Sequence, residues 1–326
     1  MIKKVGVLTS GGDAPGMNAA IRAVVRTCCF YEIACVGIYR GFEGLIEGDF
    51  KEMNARSVKN IINKGGTILK SARSEYFRTS EGRKRAFENL KQQEIDALII
   101  IGGDGSFCGG LTFSQEFSIP VIGIPGTIDN DIYGTSHTIG FDTTLNTVVE
   151  AIDKIRDTAN SHNRLFFIEV MGRDVGHIAL NAGIGAGAEE ILIPEENLGI
   201  ERLLDSLHKS KDSGKTSSIV VVAEGENTTG KNVFELKEYV QKNMPEYDIK
   251  VSVLGHLQRG GAPSCFDRVL ASRLGVKAVE TLKEGKTGYM VGLINDKVEL
   301  TPLEKAIKGH TGIDTELIKV SDIVSI

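Results

Sequence analysis

Short apolar segments alternate with amphipathic segments along most of this chain, and this alternation restricts its fold more than any other feature. Residues 2 to 9 predict a buried strand, and residues 17 to 30 place small apolar side chains on one face of a predicted helix. Continuous apolar strands are typical of strands buried on both faces, and their alternation with helices favours parallel sheets. We therefore predict an α/β fold with mainly parallel sheets.

The same strand and helix pattern continues to the C-terminal half. Predicted helices include Phe141 to Thr158, where apolar residues recur at helical spacing, and an alanine- and glycine-rich segment from Ile178 to Ala188. At 326 residues the chain is long enough for two such domains, so we expect two αβα, Rossmann-like lobes. The remaining predicted strands cover residues 34–39, 95–101, 119–124, 165–170, 191–194, 218–223 and 250–254.

Three of the predicted strands end in loops rich in glycine and aspartate, at Thr9 to Gly16, Ile101 to Ser106 and Pro125 to Asp131. Because ligands bind outside the carboxyl ends of parallel strands, these loops are expected to face one crevice. Glycine lets backbone N–H groups approach phosphate oxygens, and aspartate supplies hard oxygen ligands for Mg²⁺. One such loop alone is better explained as an ordinary turn, but three together at strand ends indicate phosphoryl transfer.

Charge and cysteine content exclude several other classes of protein. A net charge of -5 gives no general attraction to nucleic acid or to an anionic membrane, so a phosphate ligand would need a local cluster of Arg and Lys. Five cysteines without a Cys-x-x-Cys pair indicate neither a disulfide framework nor a zinc site. With no signal peptide or membrane span in the sequence, we expect a cytoplasmic protein.

The loop motifs resemble those of the bacterial ATP-dependent 6-phosphofructokinases. The resemblance also includes Val-Met-Gly-Arg at 170–173 and Gly-His-Leu-Gln-Arg-Gly-Gly at 255–261, and Pro-Gly-Thr-Ile-Asp-Asn-Asp at 125–131 is highly specific to that family. It implies the phosphofructokinase fold and a cytoplasmic homotetramer with active sites shared between subunits. Residues 1–138 and 252–301 would form a larger ATP-binding lobe, and residues 139–251 and 302–326 a smaller lobe that binds fructose 6-phosphate.

The resemblance also implies a reaction, the committed step of glycolysis. The γ-phosphoryl group of MgATP would pass to the 1-hydroxyl of D-fructose 6-phosphate, giving fructose 1,6-bisphosphate and ADP. Asp129 would accept the hydroxyl proton, Thr127 and Arg173 would steady the transferred group, Gly11 would offer its N–H, and Asp104 would hold Mg²⁺. ATP would be bound by Gly11, Arg73, Ser74, Gly103, Asp104, Gly105 and Ser106, with Arg73 spanning the phosphates.

Fructose 6-phosphate would contact a larger set, in which Arg164 and Lys250 would come from a neighbouring subunit. Lys250 stands where the family has arginine, and lysine lacks the planar two-point fork, so weaker binding of the sugar phosphate is expected. The sugar set implied by the resemblance is Thr127, Ile128, Asp129, Arg164, Met171, Gly172, Arg173, Glu224, Lys250, His256, Leu257, Gln258 and Arg259.

Two glycines bear on the phosphoryl donor. Family members that use pyrophosphate carry aspartate at the position of Gly105 and lysine at the position of Gly126, where the α-phosphate and nucleoside of ATP must pass. Glycine at both positions therefore indicates ATP.

An effector pocket for ADP or phosphoenolpyruvate is matched only in part. Ala55 replaces an arginine, Ser213 replaces a lysine, and Ser217 stands where related chains have histidine, although Arg56 and Lys59 are nearby cations. Fewer cations around an anion predict reduced or altered regulation. The positions assigned to this pocket are Arg22, Arg26, Ala55, Arg56, Lys59, Arg156, Gly187, Glu189, Ser213, Lys215 and Ser217.

Two alternative functions stay open at the level of sequence. A kinase for another ketose 6-phosphate, such as tagatose 6-phosphate, would meet the same phosphate and 1-hydroxyl. A non-catalytic paralogue that binds nucleotide and sugar phosphate would be expected to have lost the base or the metal ligand, whereas Asp129 and Asp104 are both present.

Overall fold

The computed structural model describes residues 2–160, 164–196, 199–212, 214, 217–225, 231–309 and 311–325. Its strands are β1 (Lys4–Thr9), β2 (Ala34–Ile38), β3 (Phe50–Met53), β4 (Ala97–Gly102), β5 (Val121–Pro125), β6 (Arg164–Val170), β7 (Glu190–Leu192), β8 (Ser218–Ala223), β9 (Asp248–Val253), β10 (Tyr289–Ile294) and β11 (Lys297–Pro302). Its α-helices are α1 (Met17–Phe30), α2 (Gly41–Glu47), α3 (Ser80–Gln92), α4 (Asp104–Phe117), α5 (Phe141–Asn160), α6 (His177–Gly185), α7 (Gly199–Asp212), α8 (Val233–Asn243), α9 (Cys265–Lys283), α10 (Leu303–Lys308) and α11 (Thr315–Val324). Two 3₁₀ helices cover Tyr76–Arg78 and Gly255–Arg259.

The chain divides into two compact units, Met1–Thr143 with Arg259–Thr311, and Thr144–Gln258 with Gly312–Ile326. The resemblance implied borders after residues 138, 251 and 301. Each border of the structure lies further along the chain. The shift has a local cause at two of the borders. Gly140 and Thr143 donate backbone hydrogen bonds to Asp267 of the first unit, and Leu303 is fully buried in the first unit's core.

The first unit is built on a seven-stranded sheet in the order β11-β10-β5-β4-β1-β2-β3. The five inner strands run parallel, and the edge strands β3 and β11 are antiparallel to their neighbours. Strand β4 consists only of buried residues, because helices cover this part of the sheet and remove its apolar side chains from water. Leu98, Ile100, Phe107 and Phe113 belong to one core cluster that ties β4 to α4.

The second unit is built on a four-stranded parallel sheet in the order β7-β8-β6-β9. Its core joins Phe167 and Val220 of the central strands to Leu207 of α7 and Leu236 of α8. Within the described residues, none of the helices combines the length and the apolar character needed to cross a bilayer. The predicted α/β class with mainly parallel sheets is confirmed in both units.

The sequence patterns miss three strands, all in the first unit. Strand β3 is short and mostly exposed, so it lacks the apolar run that marks the other strands. Strands β10 and β11 form a hairpin whose turn residues, Asn295 and Asp296, have φ values of 48° and 60°. Left-handed φ values at both turn residues match a type I′ turn, but Asn-Asp lacks the glycine that marks such hairpins in sequence, and β11 alternates between exposed and more buried residues.

Candidate active site

The three glycine–aspartate loops leave the sheet side by side, because β5, β4 and β1 are neighbours. Ser10 donates its N–H to the carbonyl of Ile101 at 3.0 Å, and Gly126 donates its N–H to the carbonyl of Gly102 at 3.0 Å. A Cβ atom on Gly102 would lie 2.5 Å from the carbonyl oxygen of Ser10, so only glycine allows this approach. The loops after β1, β4 and β5 therefore meet at one edge of the sheet.

The loop after β4 opens directly into helix α4, which begins at Asp104. Gly103 caps the helix with its carbonyl, which accepts the N–H of Ser106 at 3.1 Å. The backbone N–H groups and the positive dipole end at a helix start favour phosphate oxygens. Gly11 reaches this start from β1 with a φ of 84°, and a Cβ atom on Gly11 would lie 3.4 Å from Oγ of Ser106.

Open space beside Gly105 distinguishes it from the other glycines of this edge. No atom lies within 4 Å of a Cβ atom built there, and the residue is exposed. A Cβ atom on Gly126, in contrast, would lie 3.1 Å from Cγ2 of Ile101 and 3.3 Å from Cε of Met17. A side chain at position 105 would thus project into open space, whereas one at position 126 would press on the core.

The loop after β5 buries its polar groups. Thr127, Ile128 and Asp129 are each less than a tenth exposed. The Thr127 hydroxyl donates to Oδ2 of Asp129 at 3.3 Å and accepts the Asp129 N–H at 3.3 Å. A Cβ atom on Gly103 would lie 3.9 Å from Cβ of Thr127, which places this hydroxyl and carboxylate beside the start of α4.

Two arginines of the predicted site lie in the first unit. Arg259 donates from Nη1 to the carbonyl of Asp13 at 3.3 Å, and a Cβ atom on Gly12 would lie 2.7 Å from the same nitrogen. Arg259 therefore lies against the loop after β1. Arg73 is exposed in the irregular segment before the first 3₁₀ helix, where Oγ of Ser74 accepts the N–H of Phe77 at 3.2 Å.

In the second unit, a turn after β6 carries Met171, Gly172 and Arg173. Glu224, which follows β8, accepts the N–H groups of Gly172 and Arg173 at 3.2 and 2.7 Å through Oε1. Oε1 of Gln258 accepts the N–H of Met171 at 3.2 Å. The arginine has a φ of 60°, so these acceptors stabilise a turn that an L-residue rarely adopts.

A carboxylate that sequence reasoning missed lies near this turn. Partial burial raises the pKa of Glu169, and the negative charge of Glu224 raises it further. Glu169 lies on β6, two residues before Met171, and its carbonyl accepts the N–H of Leu254. Glu169 lies in the mostly apolar strand β6, so the sequence pattern indicated a strand and gave no sign of a functional carboxylate.

Arg164 and Lys250 share one carboxylate. Nζ of Lys250 lies 2.6 Å from Oδ1 of Asp248, and Nε of Arg164 lies 2.8 Å from Oδ2 of the same residue. The hydrogen bonds from Lys250 and Arg164 hold the pKa of the exposed Asp248 below its ordinary value. Asp248 thus gathers two predicted phosphate ligands at one place on β6 and β9.

The second 3₁₀ helix contains the remaining sugar candidates. Gln258 is fully buried, and its backbone carbonyl accepts the hydroxyl of Thr144 at 2.8 Å. His256 and Leu257 are exposed. The burial of Gln258 explains how its side chain can hold the turn after β6 in place.

Part of the predicted effector set lines a cavity in the first unit. Its volume is about 500 Å³, and its lining is cationic or amide-bearing except for one isoleucine. Partial burial and the neighbouring charge of Arg26 lower the pKa of Arg22, as expected for clustered cations. Ala55 and Arg56 are exposed in the turn before Lys59. The lining residues are Arg22, Arg26, Lys59, Asn60, Ile62, Asn63 and Lys64.

The other effector candidates belong to the second unit. Arg156 donates to the carbonyls of Ala186 and Gly187 at 2.8 and 2.7 Å, and its Nη1 lies 3.7 Å from Oε1 of Glu189. Ser217 lies just before β8, whereas Ser213 and Lys215 lie outside the described residues.

Comparison with known proteins shows the family of this chain. The fold and its loops define a phosphate-binding α/β protein, and the family model described as Phosphofructokinase matches residues 4–282. The chain belongs to the phosphofructokinase family, which confirms the resemblance read from its motifs.

The similarity to known proteins extends over the full length of this chain. ATP-dependent 6-phosphofructokinase 2 of Bacteroides thetaiotaomicron is 51% identical over 325 residues, covering 100% of this chain and 99% of that protein. ATP-dependent 6-phosphofructokinase 1 of Thermus thermophilus is 50% identical over 327 residues, covering all of both proteins. Phosphofructokinase from Saccharomyces cerevisiae superposes with a TM-score of 0.90 at 36% identity, covering 99% of this chain and 46% of the yeast chain. This chain thus spans about half the length of the yeast chain.

Proposed function

We propose that this protein is an ATP-dependent 6-phosphofructokinase. It transfers the γ-phosphoryl group of MgATP to the 1-hydroxyl of D-fructose 6-phosphate, in the cytoplasm and as the committed step of glycolysis. The observation that carries the proposal is the convergence of three loops at the ends of β1, β4 and β5, with the Asp129 carboxylate beside the start of α4. Relatives of about 50% identity over the whole length carry the same activity in their names.

In this reaction Asp129 accepts the proton of the sugar 1-hydroxyl as that oxygen attacks the γ-phosphorus. The Thr127 hydroxyl, 3.3 Å from the carboxylate, steadies both the base and the transferred group. The N–H of Gly11 and the start of α4 offer donors to the phosphate oxygens, and Arg73 and Arg173 supply positive charge. In-line positioning and charge stabilisation account for most of the acceleration, because phosphoryl transfer requires little covalent help from the protein.

The carboxylate of Asp104 is suited to bind the Mg²⁺ ion that accompanies ATP. The described residues contain no group of three or more His, Cys, Asp or Glu side chains placed to hold a metal ion. This fits Mg²⁺, which is usually bound through one or two carboxylates together with substrate phosphates and water. The carboxylate at the first residue of α4 provides one such ligand, beside the open space at Gly105. When bound, the ion neutralises charge on the phosphates.

Sugar-phosphate binding uses the turn at Met171 to Arg173, the second 3₁₀ helix, Glu224 and Arg259. Arg164 and Lys250 are proposed to serve the active site of a neighbouring subunit in a homotetramer. Their exposed pairing with Asp248 supports this assignment, because cations held at a surface remain accessible to a phosphate of another chain.

The primary test measures initial rates of fructose 1,6-bisphosphate formation with ATP and with pyrophosphate side by side. Turnover with ATP alone is expected. Turnover with pyrophosphate alone would retain the family and refute the donor assignment. Tagatose 6-phosphate serves as a parallel acceptor, and a higher kcat/KM for it would favour the other ketose phosphate kinase. Lack of turnover under every condition would favour a non-catalytic binding protein.

Lys250→Arg is expected to lower the KM for fructose 6-phosphate several-fold. Arginine offers two parallel donors to a phosphate, whereas the ammonium of Lys250 is already 2.6 Å from Asp248. The measurement is the KM at saturating MgATP, with kcat expected to change little. Lys242→Arg is the control, because Lys242 is an exposed lysine in the last turn of α8 with no assigned role in sugar binding. An unchanged KM in Lys250→Arg would contradict the expected advantage of a guanidinium group at position 250.

We further propose that the cationic cavity beside α1 binds small anionic effectors only weakly. By the resemblance, Ala55 and Ser213 stand at two effector positions where the family has cations, while Arg22, Arg26, Lys59 and Lys64 line the cavity. ADP and phosphoenolpyruvate are therefore expected to shift the sugar-phosphate saturation curve only slightly. Arg22→Ala should abolish the remaining shift. Large shifts at low effector concentration would refute the proposal.

A further inference from the structure

The segment that follows the Asp129 loop returns and binds it from within the first unit. Thr138 is fully buried, and its hydroxyl donates to the carbonyl of Thr127 at 2.6 Å. The N–H of Thr138 donates to Oδ1 of Asn130 at 2.8 Å, and Nδ2 of Asn130 donates to the carbonyl of Ser136 at 3.2 Å. Asp129 is therefore held on both sides, at Thr127 before it and at Asn130 after it.

The backbone of this loop requires such support. Asn130 has a φ of 56°, in the left-handed region that residues other than glycine adopt at a cost. Asparagine tolerates this conformation best when its side chain hydrogen-bonds locally, and Oδ1 of Asn130 accepts the Thr138 N–H. The backbone N–H of Thr138 thus stabilises the turn after Asp129, while the Thr138 hydroxyl fixes the Thr127 carbonyl on the other side of the carboxylate.

The returning segment is itself anchored to two rigid elements. Toward its start, Ser136 donates its N–H to the carbonyl of Leu293 in β10 at 2.7 Å. Toward its end, Ile139 donates to the carbonyl of Pro125 at 2.9 Å, and Gly140 donates to the buried carboxylate of Asp267 in α9 at 2.9 Å. Thr138 therefore connects the loop to a fixed part of the unit.

We propose that Thr138 is a positioning residue that holds the Asp129 carboxylate in line for proton transfer. This inference rests on the proposed function. A small displacement of a reacting group, of the order of 1 Å, lowers rates by about a hundredfold. Substrate binding involves many other groups, so loss of the Thr138 hydroxyl should act on kcat far more than on KM.

The experiment compares Thr138→Val, Thr138→Ser and a matched control in the full-length protein. Thr138→Val retains shape and removes the hydroxyl, and its kcat is expected to fall by about tenfold to a hundredfold, with each KM within about threefold. Thr138→Ser retains the donor and should recover most of the activity. Thr281→Val is the control, because Thr281 is also fully buried and donates to a backbone carbonyl, that of Lys277 at 2.7 Å. Thr281→Val should be less stable than the wild type, and its kcat should be unchanged.

A second variant tests the other side of the loop. Asn130→Gly permits the left-handed backbone and removes the side-chain bonds to Thr138 and Ser136, so it should lower kcat even if Thr138→Val does not fold. In the Asp129→Ser background, Thr138→Val should cause no further loss, because both act through one carboxylate.

Several outcomes would overturn the inference: wild-type kcat in folded Thr138→Val or Asn130→Gly, an equal loss in Thr138→Ser, or full additivity with Asp129→Ser. If the wild-type protein shows no turnover with fructose 6-phosphate and MgATP, the proposed function itself fails. That result is distinct from a wild-type enzyme whose variants are unaffected.

Discussion

Asp129→Ser is expected to lower kcat about a thousandfold while ATP binding remains nearly unchanged. A positioned general base contributes about 10²- to 10⁴-fold to a rate, and Asp129 is a buried carboxylate beside the start of α4. The nucleotide is proposed to bind through Gly11, Arg73 and the loop after β4, which the substitution leaves intact. Product formation would give kcat, and calorimetric titration with MgATP would give the affinity.

Two further substitutions distinguish the role of Asp129 as a base from the effect of its side-chain shape. Asp129→Asn preserves size and removes the ability to accept a proton, so it should lose as much activity as Asp129→Ser. Asp129→Glu preserves the carboxylate and displaces it, so an intermediate kcat is expected. Activity near wild type in the asparagine variant would rule out Asp129 as the base.

The loops that carry these residues were predictable because their signals are local. Gly11, Asp104 and Asp129 each follow closely after an apolar run, and strand ends of a parallel sheet share one edge. The sequence does not state the strand order, yet β1, β4 and β5 prove to be neighbours. The glycine and aspartate residues at the strand ends therefore predicted the three loops, and the strand order of the structure brings these loops to one edge of the sheet.

The supports of the loop were not predictable, because they depend on tertiary contacts. Thr138 lies 11 residues from Thr127, and Asp267 lies 127 residues from Gly140. In sequence, Asp267 is indistinguishable from an ordinary acidic residue in the first turn of a helix. Its burial and its bonds to Gly140 and Thr143 exist only once α9 packs in the first unit. A side chain whose role is to position another group has no recognisable sequence pattern.

The cationic cavity beside α1 shows the same limit of sequence reasoning. The resemblance directs attention to the missing cations at positions 55 and 213, which suggests a poorer anion site. The structure adds Lys64 to the lining, a residue that no motif singles out. Whether a cation lines a cavity depends on how the turn after β3 folds against α1, and the sequence pattern carries no information about that packing.

Gly105→Asp is expected to lower kcat/KM for ATP about a hundredfold. The aspartate would occupy open space, since no atom lies within 4 Å of a Cβ at this position. A carboxylate about 5 Å from a phosphate charge, at an effective dielectric constant of about 20, repels it by about 3 kcal/mol. An interaction of this size corresponds to a factor of about 100. Initial rates at varied MgATP would measure the loss.

Folding should not contribute to this loss. Position 105 is the second residue of α4, and an acidic residue in the first turn of a helix interacts favourably with its dipole. The thermal unfolding midpoint of Gly105→Asp should therefore equal or exceed that of the wild type. Gly105→Asn is the matched control, because it has nearly the same size without the charge, and its loss should be clearly smaller.

Gly105→Asp alone is not expected to create pyrophosphate turnover, because the resemblance pairs this aspartate with a lysine at position 126 in the members that use pyrophosphate. In this chain a side chain at 126 would begin 3.1 Å from Ile101 and 3.3 Å from Met17, so Gly126→Lys must displace core atoms before its ammonium reaches solvent. Under the proposed donor assignment, packing at position 126 would therefore restrict donor choice in addition to charge at position 105. If Gly105→Asp retained full kcat/KM for ATP, the open side of Gly105 would not face the nucleotide, and the donor argument would fail.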